Sequence, residues 1–378
     1  MSRKIKIFVD AHCFDTEYQG TQTFVRELYT ELYQNCTDLD IYFGARFPQK
    51  IIQSFPFVKP ENILLYPKRN TPFLRLIFDI PAFIRKYQFD FAHFQNIAPR
   101  KDTSCSYIVT LHDVLFNDFK QYFPLIYRYS RNILFRRSFI QADIKTTVSN
   151  YSLERIHYHY NIPPHQISVI PNAANLYSNS VVSKQKAEQY ICDKYGINNY
   201  LLCVSRIEPR KNQALLLNAY QQLALHKKNI ALVFIGKASI EVPSFQKKLK
   251  QLSIEKGNNI YWFPQVNAAD LTAFYAACRL FVYPSSAEGF GIPPLEAAIA
   301  KAPVLCSCTA AMSDFTFFHP YMFNPQNQKE FAEKLQEIID NPPDTEFLNT
   351  VATKINKQYS WKKSAEKLYQ LIQQNSIQ

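Results

Sequence analysis

The stretch Glu288-Gly-Phe-Gly-Ile-Pro-Pro-Leu-Glu296 decides how the rest of this chain reads. Before it stands Leu280-Phe-Val-Tyr283, an apolar run ending at Pro284, which predicts a short buried strand. After it, Leu295-Glu-Ala-Ala-Ile-Ala300 predicts a helix, with Pro293 and Pro294 suited to its first turn. A strand, a glycine turn and a helix N-terminus together make an anion site. Gly289 and Gly291 let backbone N–H groups converge, and the helix dipole adds partial positive charge. Such a site suits a phosphate. Glu288 and Glu296 would repel that phosphate, so they are better placed to accept hydroxyls on either side of it. A diphosphate flanked by two polyols is the chemistry of a nucleotide sugar. Taken singly, Glu296 also suits any first helical turn and Glu288 any solvated loop; the whole string fits the anion site better.

Working outward, strand and helix patterns alternate twice. Strands are predicted at 5–10, 41–43, 63–66, 91–94, 107–111, 145–148 and 167–170, with a first helix over 23–33. A second series follows at 200–204, 231–235, 260–263, 280–283 and 304–306. This alternation predicts two doubly wound, parallel-sheet domains, an α/β class in which ligands sit beyond the C-terminal ends of strands. The polar stretch 175–183 reads as the linker. The expected division is 1–176 for the first domain and 177–360 for the second.

At 378 residues there is room for two cores, and 47% hydrophobic with 20% charged residues is ordinary for a globular protein. Glycine is scarce at 7, so each glycine is more apt to have a backbone reason. The start, Met1-Ser-Arg-Lys-Ile-Lys, turns polar before any secretory hydrophobic region builds up, and no apolar run is long enough to span a bilayer. Eight cysteines form no CxxC pair; Cys306-Ser-Cys308 reads as strand packing, and a reducing cytoplasm fits. A net charge of +12 implies anionic partners. Without zinc-finger or RNA-binding signatures, nucleic acid is not expected, which leaves nucleotide diphosphates and anionic lipid.

Cys203-Val-Ser-Arg-Ile-Glu-Pro-Arg-Lys-Asn212 follows the first strand of the second domain. Arg206 and Lys211 would face a diphosphate whose charge grows as it departs, with Arg210 a weaker candidate. The alternative is a solvated basic loop. Leu111-His-Asp-Val114 ends a strand of the first domain, and His112 is a candidate base or hydrogen-bonding group unless it packs locally while Asp113 caps a turn. Gly20 lies between the first strand and first helix, where it would let backbone approach a phosphate or simply make a turn. Asp38-Leu-Asp40 has the spacing of a metal-binding pair, but it precedes a strand instead of following one, and no metal site is expected.

With these residues in place, the chain resembles the retaining glycosyltransferases of family 4, which have the GT-B fold. The Glu288–Glu296 string is similar to their E-x(7)-E signature, and Arg206–Asn212 to their G-R-x(4)-K-N motif in its bacterial O-antigen mannosyltransferase spelling. Ser205 stands where glycine is usual. The resemblance implies two Rossmann-like domains facing a cleft, with a final helix, 361–378, crossing back to the first domain. It implies that Glu288 meets donor sugar hydroxyls, that Gly289, Phe290 and Gly291 offer amides to sugar and phosphate, and that Glu296 holds the ribose. It further implies His112 near the donor sugar, Gly20 against the phosphate, a GDP- or UDP-linked hexose donor, a glycan or lipid-linked acceptor, and no cofactor. A nucleotide-sugar epimerase and a non-catalytic binding subunit of the same fold are the rivals. Finally, residues 119–141 carry Lys120, Arg128, Arg131, Arg136 and Arg137 among aromatics and aliphatics with no acidic residue. The segment reads either as a peripheral helix for an anionic membrane or as a domain helix with a solvated basic face.

Overall fold

The computed structural model describes residues 3–16, 20–67, 73–174, 183–238, 243–254, 257 and 259–376. The expected linker, 175–183, lies almost entirely outside them. The chain divides into two compact units, 1–172 with 360–378, and 173–359.

The first unit is built on strands β1 (Ile5–Asp10), β2 (Leu39–Ala45), β3 (Ile63–Leu65), β4 (Phe91–Gln95), β5 (Ser106–Leu111), β6 (Ile144–Thr147) and β7 (Ile167–Val169). They pair in parallel in the order β3-β2-β1-β4-β5-β6-β7. The helices between them are α1 (Gly20–Asn35), α2 (Pro48–Ser54), α3 (Ile80–Tyr87), α4 (Leu115–Asp118), α5 (Leu125–Ile140) and α6 (Asn150–Tyr160). One turn of π-helix, Arg75–Asp79, leads into α3. Strand residues alternate between faces, so Phe8, Ala92, Phe94, Tyr107 and Val109 share one side. There they pack in one cluster with Leu76 before α3, Ile80 and Ile84 of α3, Phe135 and Phe139 of α5, and Ile156 of α6. Much of the aromatic surplus goes here: the Phe8 ring lies 5.5 Å from Phe89 and 6.5 Å from Phe94.

The second unit runs α7 (Lys184–Tyr195), β8 (Tyr200–Val204), α8 (Gln213–Gln222), β9 (Ala231–Ile235), α9 (Pro243–Ile254), β10 (Ile260–Phe263), α10 (Ala268–Ala277), β11 (Leu280–Tyr283), α11 (Ile292–Ile299), β12 (Val304–Ser307), β13 (Met322–Phe323), α12 (Gln328–Asp340) and α13 (Thr345–Gln358). Its parallel sheet has the order β10-β9-β8-β11-β12-β13. Both sheets therefore have the doubly wound pattern expected from the alternation. β13 escaped the sequence reading because a two-residue strand has no periodicity to detect.

The last helix, α14 (Trp361–Ser376), returns to the first unit as expected. Trp361 stacks edge-on against Phe24 of α1 at 6.2 Å, and Ser364 Oγ donates to the Pro171 carbonyl at 2.7 Å. Tyr369 and Gln373 donate to Asp38 at 2.8 and 2.9 Å.

Candidate active site

In a doubly wound sheet, the strand order reverses where the chain first steps to the other side, and the loops beyond that point diverge to leave a crevice. In the second unit this place lies between β8 and β11. The loop after β8 carries Arg206–Lys211 and the loop after β11 carries Pro284–Gly291, so the two strongest sequence motifs meet there. The β8 loop is braced by the next strand. Ser205 N–H donates to Ile235 O, and Ile207 N–H to Lys237 O, both at 2.9 Å. Gly236 (φ +145°) makes this approach possible, since a Cβ there would sit 2.0 Å from the Ser205 carbonyl oxygen. Ser205, the departure from the motif, is put to use: its Oγ accepts from Gln213 Nε2 at 2.8 Å, and the same amide reaches the Arg206 carbonyl at 2.6 Å.

Glu288 is the centre of the constellation and is buried. Its Oε1 accepts from Lys211 Nζ, from Tyr283 OH at 2.8 Å and from Ser285 Oγ at 2.7 Å. Arg210 Nη1 reaches Oε2 at 3.0 Å and the Ala287 carbonyl at 2.8 Å, while its Nη2 pairs with Glu208 at 2.6 Å. Lys211 Nζ also touches Tyr283 OH at 3.2 Å. Burial alone would raise the Glu288 pKa, but Lys211, Arg210 and the Ser285 hydroxyl outweigh it and bring it down to about 2. Oε1 is already occupied by three donors, so Oε2 is the oxygen with capacity left for a ligand hydroxyl. Two cations, Arg210 and Lys211, thus stand with two carboxylates, Glu208 and Glu288. Arg206 is half-buried in the same loop.

Eight residues on, Glu296 has the opposite setting. It is buried on α11, where Oε2 accepts from Tyr275 OH at 2.8 Å. Burial dominates, and its pKa is pushed up to about 7. Between the two carboxylates, Gly291 caps α11 with φ +102°, a conformation that favours glycine, and Pro293 and Pro294 follow in the first turn as expected. Gly289 lies half-buried in the bend before it. The Phe290 side chain is buried against Phe315 and Tyr359 at 5.6 and 5.4 Å, so any contribution it makes to a ligand comes from its backbone.

The remaining candidates belong to the first unit. His112 follows β5; its Nε2 meets Gln95 Oε1 at 2.8 Å, its N–H donates to Asn96 Oδ1 at 3.1 Å, and its carbonyl accepts from Ser152 Oγ at 3.1 Å. Burial brings its pKa down to about 4, so the ring is neutral near pH 7 and suited to hydrogen bonding more than to holding a proton. Asp113 Oδ1 caps the following turn through Leu115 N–H at 3.2 Å. Gly20 is the exposed first residue of α1. Asp38 and Asp40 are engaged separately: Asp38 anchors α14, and Asp40 accepts from Asn62 Nδ2 at 3.0 Å. Within residues 119–141, Lys120–Tyr122 make one 3-10 turn and Leu125–Ile140 make α5, whose exposed residues include Leu125, Ile126, Tyr129, Ile133 and Ile140 as well as Arg136 and Arg137.

Sequence reasoning missed Tyr283, Ser285, Glu208 and Tyr275 and underrated Arg210. Tyr283 ends β11 and Ser285 lies two residues beyond it, so their place at the C-terminal end of a strand was the available signal. Tyr275 lies on α10 and reaches Glu296 only through packing, which no local pattern reports.

Residues 18–177 match the family model described as Glycosyltransferase Family 4, and residues 187–373 match that described as Glycosyl transferases group 1. O-antigen chain mannosyltransferase B of Escherichia coli is 29% identical over 67% of this chain and 66% of that protein. Serotype-specific mannosyltransferase WbdA of Escherichia coli is 28% identical over 47% of this chain and 22% of that protein. The chain thus matches just under two thirds of the first relative's length and about a fifth of the second's. A solved structure, sucrose-phosphate synthase from Thermosynechococcus elongatus, has a similar fold, with a TM-score of 0.76 over 99% of this chain and 100% of that one at 17% identity.

Proposed function

Because the chain belongs to the family 4 glycosyltransferases and has their GT-B fold, we propose that it moves a hexose, mannose or glucose, from a GDP- or UDP-linked donor to a glycan or lipid-linked acceptor in surface polysaccharide synthesis. The observation that carries this reading is the Arg210–Glu288–Lys211 cluster at the β8/β11 crevice, beside the N-terminus of α11. Fold alone would not carry it, because function lives in the site. The names of the two mannosyltransferase relatives favour a hexose donor.

In this reading Arg206, Lys211 and the α11 N-terminus receive the diphosphate, with Arg210 in support, and stabilise the charge that develops as it leaves. Glu288 holds Lys211 and Arg210 in place and offers Oε2 to a sugar hydroxyl. Glu296 accepts the ribose hydroxyls beside Tyr275. Gly20 and the amides of Gly289, Phe290 and Gly291 approach donor oxygens, and neutral His112 hydrogen-bonds the sugar. Transfer retains configuration by front-face attack. The bond from the anomeric carbon to the diphosphate oxygen breaks, and the acceptor oxygen bonds to the same face. The leaving phosphate oxygen takes the acceptor's proton. No metal is assigned, because the cations supply the charge balance. The enzyme would work in the cytoplasm, peripheral to the inner face of an anionic membrane.

The test is turnover of GDP- and UDP-hexoses with and without a glycan acceptor, in excess EDTA, with the product anomer read by NMR. Retained configuration in an acceptor-dependent product supports the reading. Free sugar released without acceptor would indicate the epimerase, and donor binding without turnover the non-catalytic subunit. Loss of activity in EDTA that magnesium restores would overturn metal independence.

A further inference from the structure

The solvent face of α5 has a composition that water alone does not explain. Leu125 is 74% exposed, Ile126 85%, Tyr129 73%, Ile133 51% and Ile140 49%. At 3.6 residues per turn these five fall within an arc of about 100°, opposite the side that sends Phe135, Ser138 and Phe139 into the core. Exposed Arg136 lies inside that arc and exposed Arg137 just beyond its edge. Arg137 donates to the Ala98 carbonyl at 2.8 Å, and half-buried Arg131 lies over the Tyr127 ring at 5.2 Å. The helix is thus anchored by its inner face, while its outer face offers an apolar strip from Leu125 to Ile133, followed by Arg136 and Arg137 before Ile140. Scattered exposed apolar residues need no explanation, but a strip on one helix does.

A second projection rises from the same side of the sheet. Leu76, Ile80, Phe135 and Phe139 share one core cluster, so the π-turn before α3 and α5 cover the same face. Within that turn Arg75 points inward and pairs with buried Asp10 at 3.0 Å, and Tyr66 OH donates to the same carboxylate at 2.8 Å. Phe73 and Ile77, on either side of Arg75, are turned out, at 44% and 53% exposed.

We propose that these two projections form one docking surface for an anionic lipid bilayer, with α5 lying in the headgroup interface. This rests on the glycosyltransferase reading and deepens it by naming the membrane-facing surface. The charge pattern selects the occupant. Residues 119–141 contain five basic residues and no carboxylate, so the strip is matched to apolar chains beneath anionic headgroups. A second copy would bring two arginine-bearing faces of a +12 chain together, which repulsion disfavours. A lipid-linked acceptor is confined to such a surface, and docking there would raise its effective concentration.

The test is co-sedimentation of the whole chain with phosphatidylglycerol vesicles, against phosphatidylcholine vesicles, at low and high salt. Wild-type protein should sediment with the anionic vesicles only, and salt should release it. The double variant Ile126→Ser, Tyr129→Ser and, separately, Arg136→Gln should each reduce partitioning, the first at least tenfold, while GDP and UDP binding by calorimetry stays unchanged. Wild-type protein left in the supernatant at low salt would overturn the proposal, as would a double variant that sediments like wild type. Phe73→Ser with Ile77→Ser tests the second projection, and full retention would remove it from the surface. Sedimentation without nucleotide binding would count against the donor reading and leave the docking surface standing.

Discussion

Glu288 and Glu296 stand at the two ends of one nine-residue segment, yet the fold gives them opposite electrostatics. Glu288 is buried among Lys211, Arg210, Tyr283 and Ser285 and is held ionised, with a pKa of about 2. Glu296 is buried beside one tyrosine and titrates at about 7. Burial raises both; only the first has cations close enough to reverse it. One carboxylate is therefore a fixed part of the protein's charge arrangement. The other remains able to change protonation when a ligand's hydroxyls arrive.

The comparison breaks most readily at Lys211. If Lys211 faces the diphosphate as proposed, Lys211→Ala removes a cation there and strands Glu288, so turnover should fall roughly 10²- to 10³-fold. Steady-state kinetics with a GDP- or UDP-hexose measures it, and wild-type turnover would remove Lys211 from the site. Glu288→Ala leaves Lys211 and Arg210 without their shared carboxylate. Breaking a buried pair in this way should cost about 3–5 kcal/mol of stability in denaturant unfolding.

At Glu296 the sign is the reverse. Between pH 4.5, the ordinary carboxyl value, and about 7, the folded chain keeps a proton that the unfolded chain has released. Stability should therefore fall as pH rises through that window and level off above it. Glu296→Gln should abolish this slope and leave the protein more stable than wild type at pH 8, by up to about 3 kcal/mol at ~1.4 kcal/mol per pKa unit. Glu288 works the other way, its stabilising effect being lost as pH falls from 4.5 towards 2. A variant at 296 that destabilises at pH 8 would show that the two carboxylates are alike after all.

Nucleotide binding sharpens the same contrast. An ionised Glu296 accepts hydroxyls better than a protonated one, so GDP or UDP should bind more tightly as pH rises through 7. Calorimetry between pH 6 and 8 should show this in wild type and not in Glu296→Gln. The smallest effect is expected at the glycine joining the two settings. Gly291→Ala places a Cβ 3.3 Å from Met312 Sδ at φ +102°, and should cost about 1–2 kcal/mol.

Much of the first half of this contrast was legible in the residues. Buried strands such as Leu280–Tyr283 and Ala231–Ile235 were readable because apolar runs bounded by breakers have one low-energy use. The Glu288–Glu296 string and the Arg206–Lys211 loop were readable because each is local. Their partnership was not. Arg210 looked like a minor phosphate ligand until its two nitrogens were seen on Glu208 and Glu288. Asp38 had the spacing of a metal pair, though no metal was expected there; that Tyr369 and Gln373 would reach it from the far end of the chain was not readable locally.

α5 carries the same lesson on the surface. Composition shows that the segment 119–141 is basic and aromatic, but not which side faces water. The core, by taking Phe135 and Phe139, turned Leu125, Ile126 and Tyr129 outward. By itself, then, the sequence determined the order of strands and helices, the two-sheet class and the local motifs, because these depend on neighbours a few positions apart. The tertiary structure alone decided which carboxylate meets cations, which tyrosine meets Glu296 and which helix face stays exposed. Those depend on contacts across tens or hundreds of residues, and on how far burial strips each charge of water.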